Sequence, residues 1–282
     1  MHKVAVVIDS TANIPQSLLD QYHIHVLPQT LVWDNVTYRD GIDISPDQFY
    51  ERLSTSRTIP TTSQVTPAQF LAVYENLFSQ GYDVFTLVIS AHLSGTLQSA
   101  IQARAQSPAG RVTVVDSYTT SMTLGYQAIQ VARAAEQGAT LAECEDMAMR
   151  LRTHGGILFV VDTLKYLHLG GRIGGGARFL GTALDLKPIL ELTGGRIEAI
   201  ERVRSKTKAI DRLLAIAELR IAGRTPLHLA TLHAKAYNEA AELLERAKER
   251  FHPIESYVTE VSPVVGVHAG PGVVGLAFLA GD

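Results

Sequence analysis

The chain has one cysteine, Cys144, in 282 residues. That excludes an internal disulfide framework and any zinc site built from several cysteines, and it fits a reducing compartment. Charged residues are scarce at 19%, against about 25% in ordinary globular chains. The formal net charge is −3, so there is no basic field for DNA or RNA and no nucleic-acid partner is expected. No uncharged apolar stretch reaches the ~18 residues of a membrane span, and the first apolar run, Val4–Ile8, is short of a signal-peptide core. A soluble, cytoplasmic protein is expected. The G-x-x-x-x-G-K-[ST] phosphate loop and the H-E-x-x-H zinc helix are both missing. The close pair His23 and His25 has no evident third ligand, so neither a metal nor a cofactor is expected. Gly270, Gly272 and Gly275 match G-x-G-x-x-G, but too few residues follow for the helix, second strand and ribose-binding acid of a dinucleotide fold, so the match reads as accidental.

What the chain does have is an alternation of short β-branched runs with helical patterns, the pattern of an α/β fold. Its length predicts two α/β domains. The expected division is 1–154, with a parallel sheet, and 155–282, with a mixed sheet, and a ligand site near the junction. Val4–Ile8, Val84–Ser90 and Val112–Asp116 read as strands buried on both faces. Thr66, Pro67 and Gln69 form a capping box with proline at the first helical position, and Thr140 with Glu143 forms another. In the second half Ile157–Asp162 is a strand and Thr163 to about Leu186 a glycine-interrupted helical stretch. Ile189–Leu192 and Arg196–Ile200 flank Thr193-Gly194-Gly195 as a hairpin. Strands Leu227–Leu232, Ser256–Val261 and Val273–Ala280, with helices Lys206–Ile221 and Asn238–Arg250, complete the layers.

Four polar loops carry the functional signal: Thr61-Thr62-Ser63-Gln64, His92-Leu93-Ser94-Gly95-Thr96, Gly170-Gly171-Arg172-Ile173-Gly174 and His268-Ala269-Gly270-Pro271-Gly272. Each is expected where a strand hands over to a helix. Their hydroxyls, N–H groups, guanidinium and imidazole can converge on a carboxylate or phosphate, which makes Thr62, Ser63, Ser94, Arg172 and His268 the candidate site residues. Plainer readings stand beside these: Ser94 as a helix cap, Thr62 and Ser63 as turn formers, Arg172 as a surface charge, His268 as a structural histidine. Ser94, His268 and Asp116 could formally make a nucleophile, base and orienter, although no G-x-S-x-G elbow is present.

In order and spacing, Asp9-Ser10, Thr61-Thr62-Ser63-Gln64, Leu93-Ser94-Gly95-Thr96, Val115-Asp116-Ser117, Leu169-Gly170-Gly171-Arg172-Ile173, Lys187-Pro188-Ile189-Leu190 and His268-Ala269-Gly270-Pro271-Gly272 resemble the DegV family of bacterial fatty-acid-binding proteins. The resemblance spans essentially the whole chain. It implies one buried long-chain fatty acid, its carboxylate contacted by Thr62 and Ser94 with Ser63 as a neighbour, and Arg172 and His268 near the head group. It further implies a non-enzymatic role as the acyl-carrying subunit of a fatty acid kinase. A separate ATP-binding catalytic subunit would phosphorylate the bound carboxyl group, and the acyl phosphate would go to phospholipid synthesis. Transient contact with a membrane surface is expected for lipid loading. Arg202, Arg204, Lys206 and Lys208 follow the hairpin as a docking surface for the kinase or an anionic lipid, or as a solvated helix start. Val65 stands where the family pattern usually has proline, a change that removes no donor.

Burying about sixteen methylenes at about 0.8 kcal/mol each gives a gross gain of about 12 kcal/mol, so the tail would supply affinity and the polar loops orientation. The alternative from another class is a stand-alone enzyme on a small acidic or phosphorylated substrate, using the same donors as an oxyanion site.

Overall fold

The computed structural model describes residues 2–174 and 186–281. The first half opens with β1 (Lys3–Asp9), a 3-10 turn over Ser10–Ala12, α1 (Gln16–Gln21) and β2 (His25–Leu27). Then come β3 (Thr30–Trp33), β4 (Val36–Arg39), α2 (Pro46–Thr55), β5 (Thr61–Ser63), α3 (Pro67–Ser79) and β6 (Tyr82–Val88). It closes with α4 (Thr96–Ala105), β7 (Val112–Asp116), α5 (Ser121–Glu136) and α6 (Leu141–Leu151). The strands order as β2-β1-β6-β7, all parallel, with Val6 opposite Phe85 and Phe85 opposite Thr113. From Val4 onward β1 is wholly buried, as the uninterrupted apolar run requires of a strand covered on both faces.

The second half runs β8 (Gly155–Val160), α7 (Lys165–Leu169), β9 (Lys187–Thr193), β10 (Arg196–Val203), α8 (Lys206–Ile221) and β11 (Leu227–His233). It ends with α9 (Tyr237–Phe251), β12 (Glu255–Glu260), α10 (Pro263–Ala269) and β13 (Val274–Ala280). Its strands form a mixed sheet in the order β10-β9-β8-β13-β11-β12, in which β11 and β12 are the parallel pair. The expected hairpin is β9–β10, with Gly194 and Gly195 both at positive φ in its turn.

Helix α5 joins the two sheets. It is buried from Ser121 to Ile129 and packs on β1 and on β13. The Tyr126 hydroxyl donates to the Leu229 carbonyl at 2.6 Å and the Thr123 hydroxyl to Gly156 at 2.9 Å. Both expected capping boxes close, at Thr66/Gln69 and Thr140/Glu143, and a third at Ser45/Gln48 starts α2.

Three expectations are corrected. Thr61–Ser63 is the edge strand β5 of a separate antiparallel sheet, β4-β3-β5, with Thr62 opposite Leu31. It is not a turn, because the main chain of β3 offers its hydrogen bonds there. His268 lies near the end of α10, so its segment runs from helix to strand, the reverse of the expected handover. Of the stretch Thr163 to Leu186, α7 covers only Lys165–Leu169, and residues 175–185, including Gly175 and Gly176, lie outside the described residues.

Candidate functional site

Between the two sheets lies a cavity of about 200 Å³. Thr62, Ser63, Ser94, Arg172 and His268 all line it. Thr62 and Ser63 come from β5, Ser94 from the loop entering α4, Arg172 from the segment after α7 and His268 from α10. Much of the remaining wall is apolar, from Ile89 at the end of the parallel sheet to Ile157, Phe159, Leu192 and Leu232 on the mixed sheet and Val264 on α10. The site thus has a polar group of donors beside a hydrocarbon lining, the arrangement that fixes one end of an amphiphile.

Thr62 Oγ1 and His268 Nε2 are 2.8 Å apart. The other ring nitrogen, Nδ1, is buried without a partner. Burial, with the Arg172 charge adding to it, pushes the His268 pKa down to about 4, so the ring is neutral near pH 7. A buried N–H without an acceptor costs more than an under-used acceptor, which assigns the proton to Nε2. His268 then donates to Thr62, and the Thr62 hydroxyl proton is free to point into the cavity. Gly170 packs against the ring, and any Cβ there would collide with Nδ1.

Arg172 crosses between the halves: its Nε–H donates to the Leu93 carbonyl at 3.1 Å, and a terminal N–H donates to Gly170. Burial lowers its pKa. Both acceptors are neutral carbonyls, so these bonds hold the guanidinium in place without cancelling its charge. The Ser94 hydroxyl shares a 2.9 Å bond with that of Thr96 and accepts the Thr96 N–H at 3.3 Å. The N-cap of α4 is Gly95 and no side chain caps that helix, so the plainer reading of Ser94 as the helix cap does not hold; its hydroxyl braces the turn into α4 from the cavity wall. The hairpin tip also closes on this loop: the Ser90 hydroxyl donates to Gly195 O at 2.9 Å, and a Cβ at Gly195 would strike the same hydroxyl.

The formal triad is not assembled. The Asp116 carboxylate accepts from the N–H groups of Tyr118 at 2.9 Å and Ala91 at 3.3 Å, and His268 Nδ1 has no orienting acid. Among the described residues no cluster of three metal-ligating side chains occurs, and no helix is long and apolar enough to cross a membrane.

Thr11, Gln29, Thr120 and Ser121 also line the cavity and escaped the motif search. The first two are set by Asp9, whose wholly buried carboxylate accepts from Thr11 N–H and O–H, from Gln29 Nε2–H at 3.2 Å and from Ile89 N–H at 2.7 Å. Burial raises the Asp9 pKa and these bonds oppose it. Asp9-Ser10 stood in the family pattern, and its position at a strand end was the signal available.

The family model described as uncharacterised protein of the DegV family matches residues 3–281. The chain belongs to the DegV family. A DegV domain-containing protein of Streptomyces coelicolor is 38% identical over 275 residues, 97% of either chain. The DegV protein of Bacillus subtilis is 32% identical over 281 residues, 98% of either chain. Among solved structures, a DegV family protein from Thermus thermophilus, described as fatty acid binding, superposes with a TM-score of 0.93 at 35% identity, covering 99% of both chains. The structure of Bacillus subtilis DegV, described as a fatty acid binding protein, gives 0.89 at 29% identity over 99% of this chain and 100% of that one.

Proposed function

We propose that this DegV protein carries one long-chain fatty acid in the cavity between its sheets and presents the carboxyl group to a separate ATP-dependent fatty acid kinase subunit. The observation that carries the reading is the cavity itself, largely apolar, with the hydroxyls of Thr62, Ser63 and Ser94, a neutral imidazole and a guanidinium that meets no carboxylate among the described residues on its wall, in a chain whose solved relatives are described as fatty acid binding. In this reading residues 1–154 and 155–282 are two domains and the head group lies at their junction. Thr62 and Ser94 donate to the carboxylate, with Ser63 beside them. His268 keeps the Thr62 proton turned toward the ligand. Arg172 faces the charge that grows when the carboxylate becomes an acyl phosphate. Hydroxyl donors leave a carboxylate oxygen open to a phosphoryl donor, which a bidentate arginine clamp would not.

The chain supplies no catalysis of its own in this scheme. It loads from a membrane surface, works in the cytoplasm and delivers acyl phosphate toward phospholipid synthesis. The diversion of Asp116 to backbone N–H groups weighs against the alternative of a stand-alone enzyme with Ser94 as nucleophile. Denaturing extraction of untreated protein, with mass spectrometry of the organic phase, tests the proposal. About one fatty acid per chain supports it. An empty extract and a native mass equal to the bare chain refute it in favour of a small-substrate enzyme.

A further inference from the structure

Asp40 is 3% exposed and sits in the loop after β4, away from the lining of the ligand cavity. Its backbone N–H donates to Gln29 O at 2.9 Å. Its two carboxylate oxygens reach in different directions. Oδ2 accepts from the Ser10 hydroxyl at 2.6 Å, at the end of β1. Oδ1 accepts from the Val264 N–H at 3.1 Å, in the first turn of α10. Ser262, at the N-cap position of that helix, makes no side-chain cap bond, so Asp40 performs the capping from 224 residues away. Helix α10 is otherwise seated tightly on α2, since Gly266 lies where a Cβ would strike Phe49 and Tyr50. The same helix carries Val264, Ala269 and His268 into the cavity.

We propose that Asp40 is a positioning residue for the acid-binding site: its carboxylate, anchored on Ser10, caps α10 and sets the helix that holds His268 against Thr62. This rests on the fatty-acid-carrier reading for its consequence, though the geometry stands without it. An ionised carboxylate makes a hydrogen bond roughly twice as strong as a neutral acid does. Protonation therefore loosens the start of α10, and the ligand leaves faster. Burial pushes the Asp40 pKa up to about 6, opposed by Ser10, by Val264 and, more weakly, by the nearby Ser262 hydroxyl, with Asp9 adding to the rise. The change thus falls in an accessible range.

The ionisable groups around Asp40 are few. Asp9 faces it from β1 and Tyr50 from α2, the latter under the further influence of Glu260 on β12. Asp20 of α1 lines the cleft that Asp40 also borders. Arg39 and Asp43 in its own loop pair with each other at 2.8 Å, and His268 at the far end of α10 titrates near 4.

The test follows the His268 ring ¹⁵N signals of the full chain between pH 5 and 7.5, together with the release rate of a fluorescent long-chain fatty acid. In the wild type both should show a step, with release about 5- to 10-fold faster below it, the scale of a charge-assisted hydrogen bond exchanged for a neutral one. Asp40→Asn should abolish the step in both readouts and release fast throughout. Ser10→Ala, which keeps the carboxylate and removes one donor to it, should move the step to higher pH. An unchanged step in Asp40→Asn, or an unmoved one in Ser10→Ala, overturns the assignment. If the wild type binds no fatty acid, the carrier reading falls while the ¹⁵N step still decides the role of Asp40.

Discussion

Thr62 and His268, 206 residues apart in sequence, share a 2.8 Å hydrogen bond at the cavity wall. The bond joins the edge strand of the small antiparallel sheet to a helix from the other half of the chain. It lets a neutral imidazole fix the direction of a hydroxyl proton. Truncating that hydroxyl together with its counterpart removes both assigned donors. The Thr62→Ala, Ser94→Ala double variant should bind fatty acid about 5- to 150-fold more weakly, at about 0.5–1.5 kcal/mol for each hydrogen bond. Displacement of a fluorescent fatty acid measures this. Wild-type affinity, with unchanged acyl phosphorylation by the partner, would remove both residues from the site.

Gly170 has no room for a side chain because the His268 ring fills it. Gly170→Ala should displace the ring from Thr62 and lower stability by about 1–3 kcal/mol, the usual cost of overpacking. Combining it with His268→Ala should recover the melting temperature without recovering ligand affinity. A single variant that melts like the wild type would show the contact to be soft.

The pH dependence of stability has a sign that can be worked out for Asp40. Its folded pKa is raised from the ordinary 3.8 to about 6. Its contribution to stability is therefore complete below 3.8 and lost as pH rises through 6. The displacement is worth about 3 kcal/mol. Asp40→Asn should match the wild type near pH 4 and exceed it by up to that amount at pH 8, by denaturant unfolding of each protein at both pH values. His268 runs the other way, because its pKa is lowered to about 4 and its stabilisation is lost as pH falls. It is present in both proteins, so their difference isolates Asp40. A variant that is more stable and yet releases ligand faster is the pattern of a residue retained for function. A variant less stable at pH 8 would count against it.

Val265 lines the cavity from a half-buried position on α10. Val265→Trp adds bulk without emptying the core, so the acids recovered by extraction should shift to shorter chains at unchanged folding. An identical acyl profile would place the tail elsewhere.

Much of the frame was legible because it rests on local rules. Val4–Ile8 and Val112–Asp116 read as strands from uninterrupted apolar runs, and Thr66/Gln69 and Thr140/Glu143 marked helix starts to the residue. The five candidate site residues, grouped in short polar segments of the sequence, line one cavity. The rest depends on distant partners. Thr61-Thr62-Ser63 has turn-like composition and becomes a strand because β3 lies beside it. Val264-Val265 is β-branched and becomes helical behind Pro263, with Asp40 supplying the cap from the other half. Asp40 itself, between Arg39 and Gly41, reads as an ordinary turn residue until its two partners are seen.

Helix α10 belongs by sequence to the second half and packs on α2, β3 and β5 of the first. The bonds that tether it, Asp40 to Val264 and Thr62 to His268, each close a loop of more than two hundred residues. Loop-closure entropy grows only with the logarithm of length, so a few such bonds can hold the closure. The cavity that carries Thr62 and His268 takes its wall from both halves, so that wall is complete only when the whole polypeptide has folded.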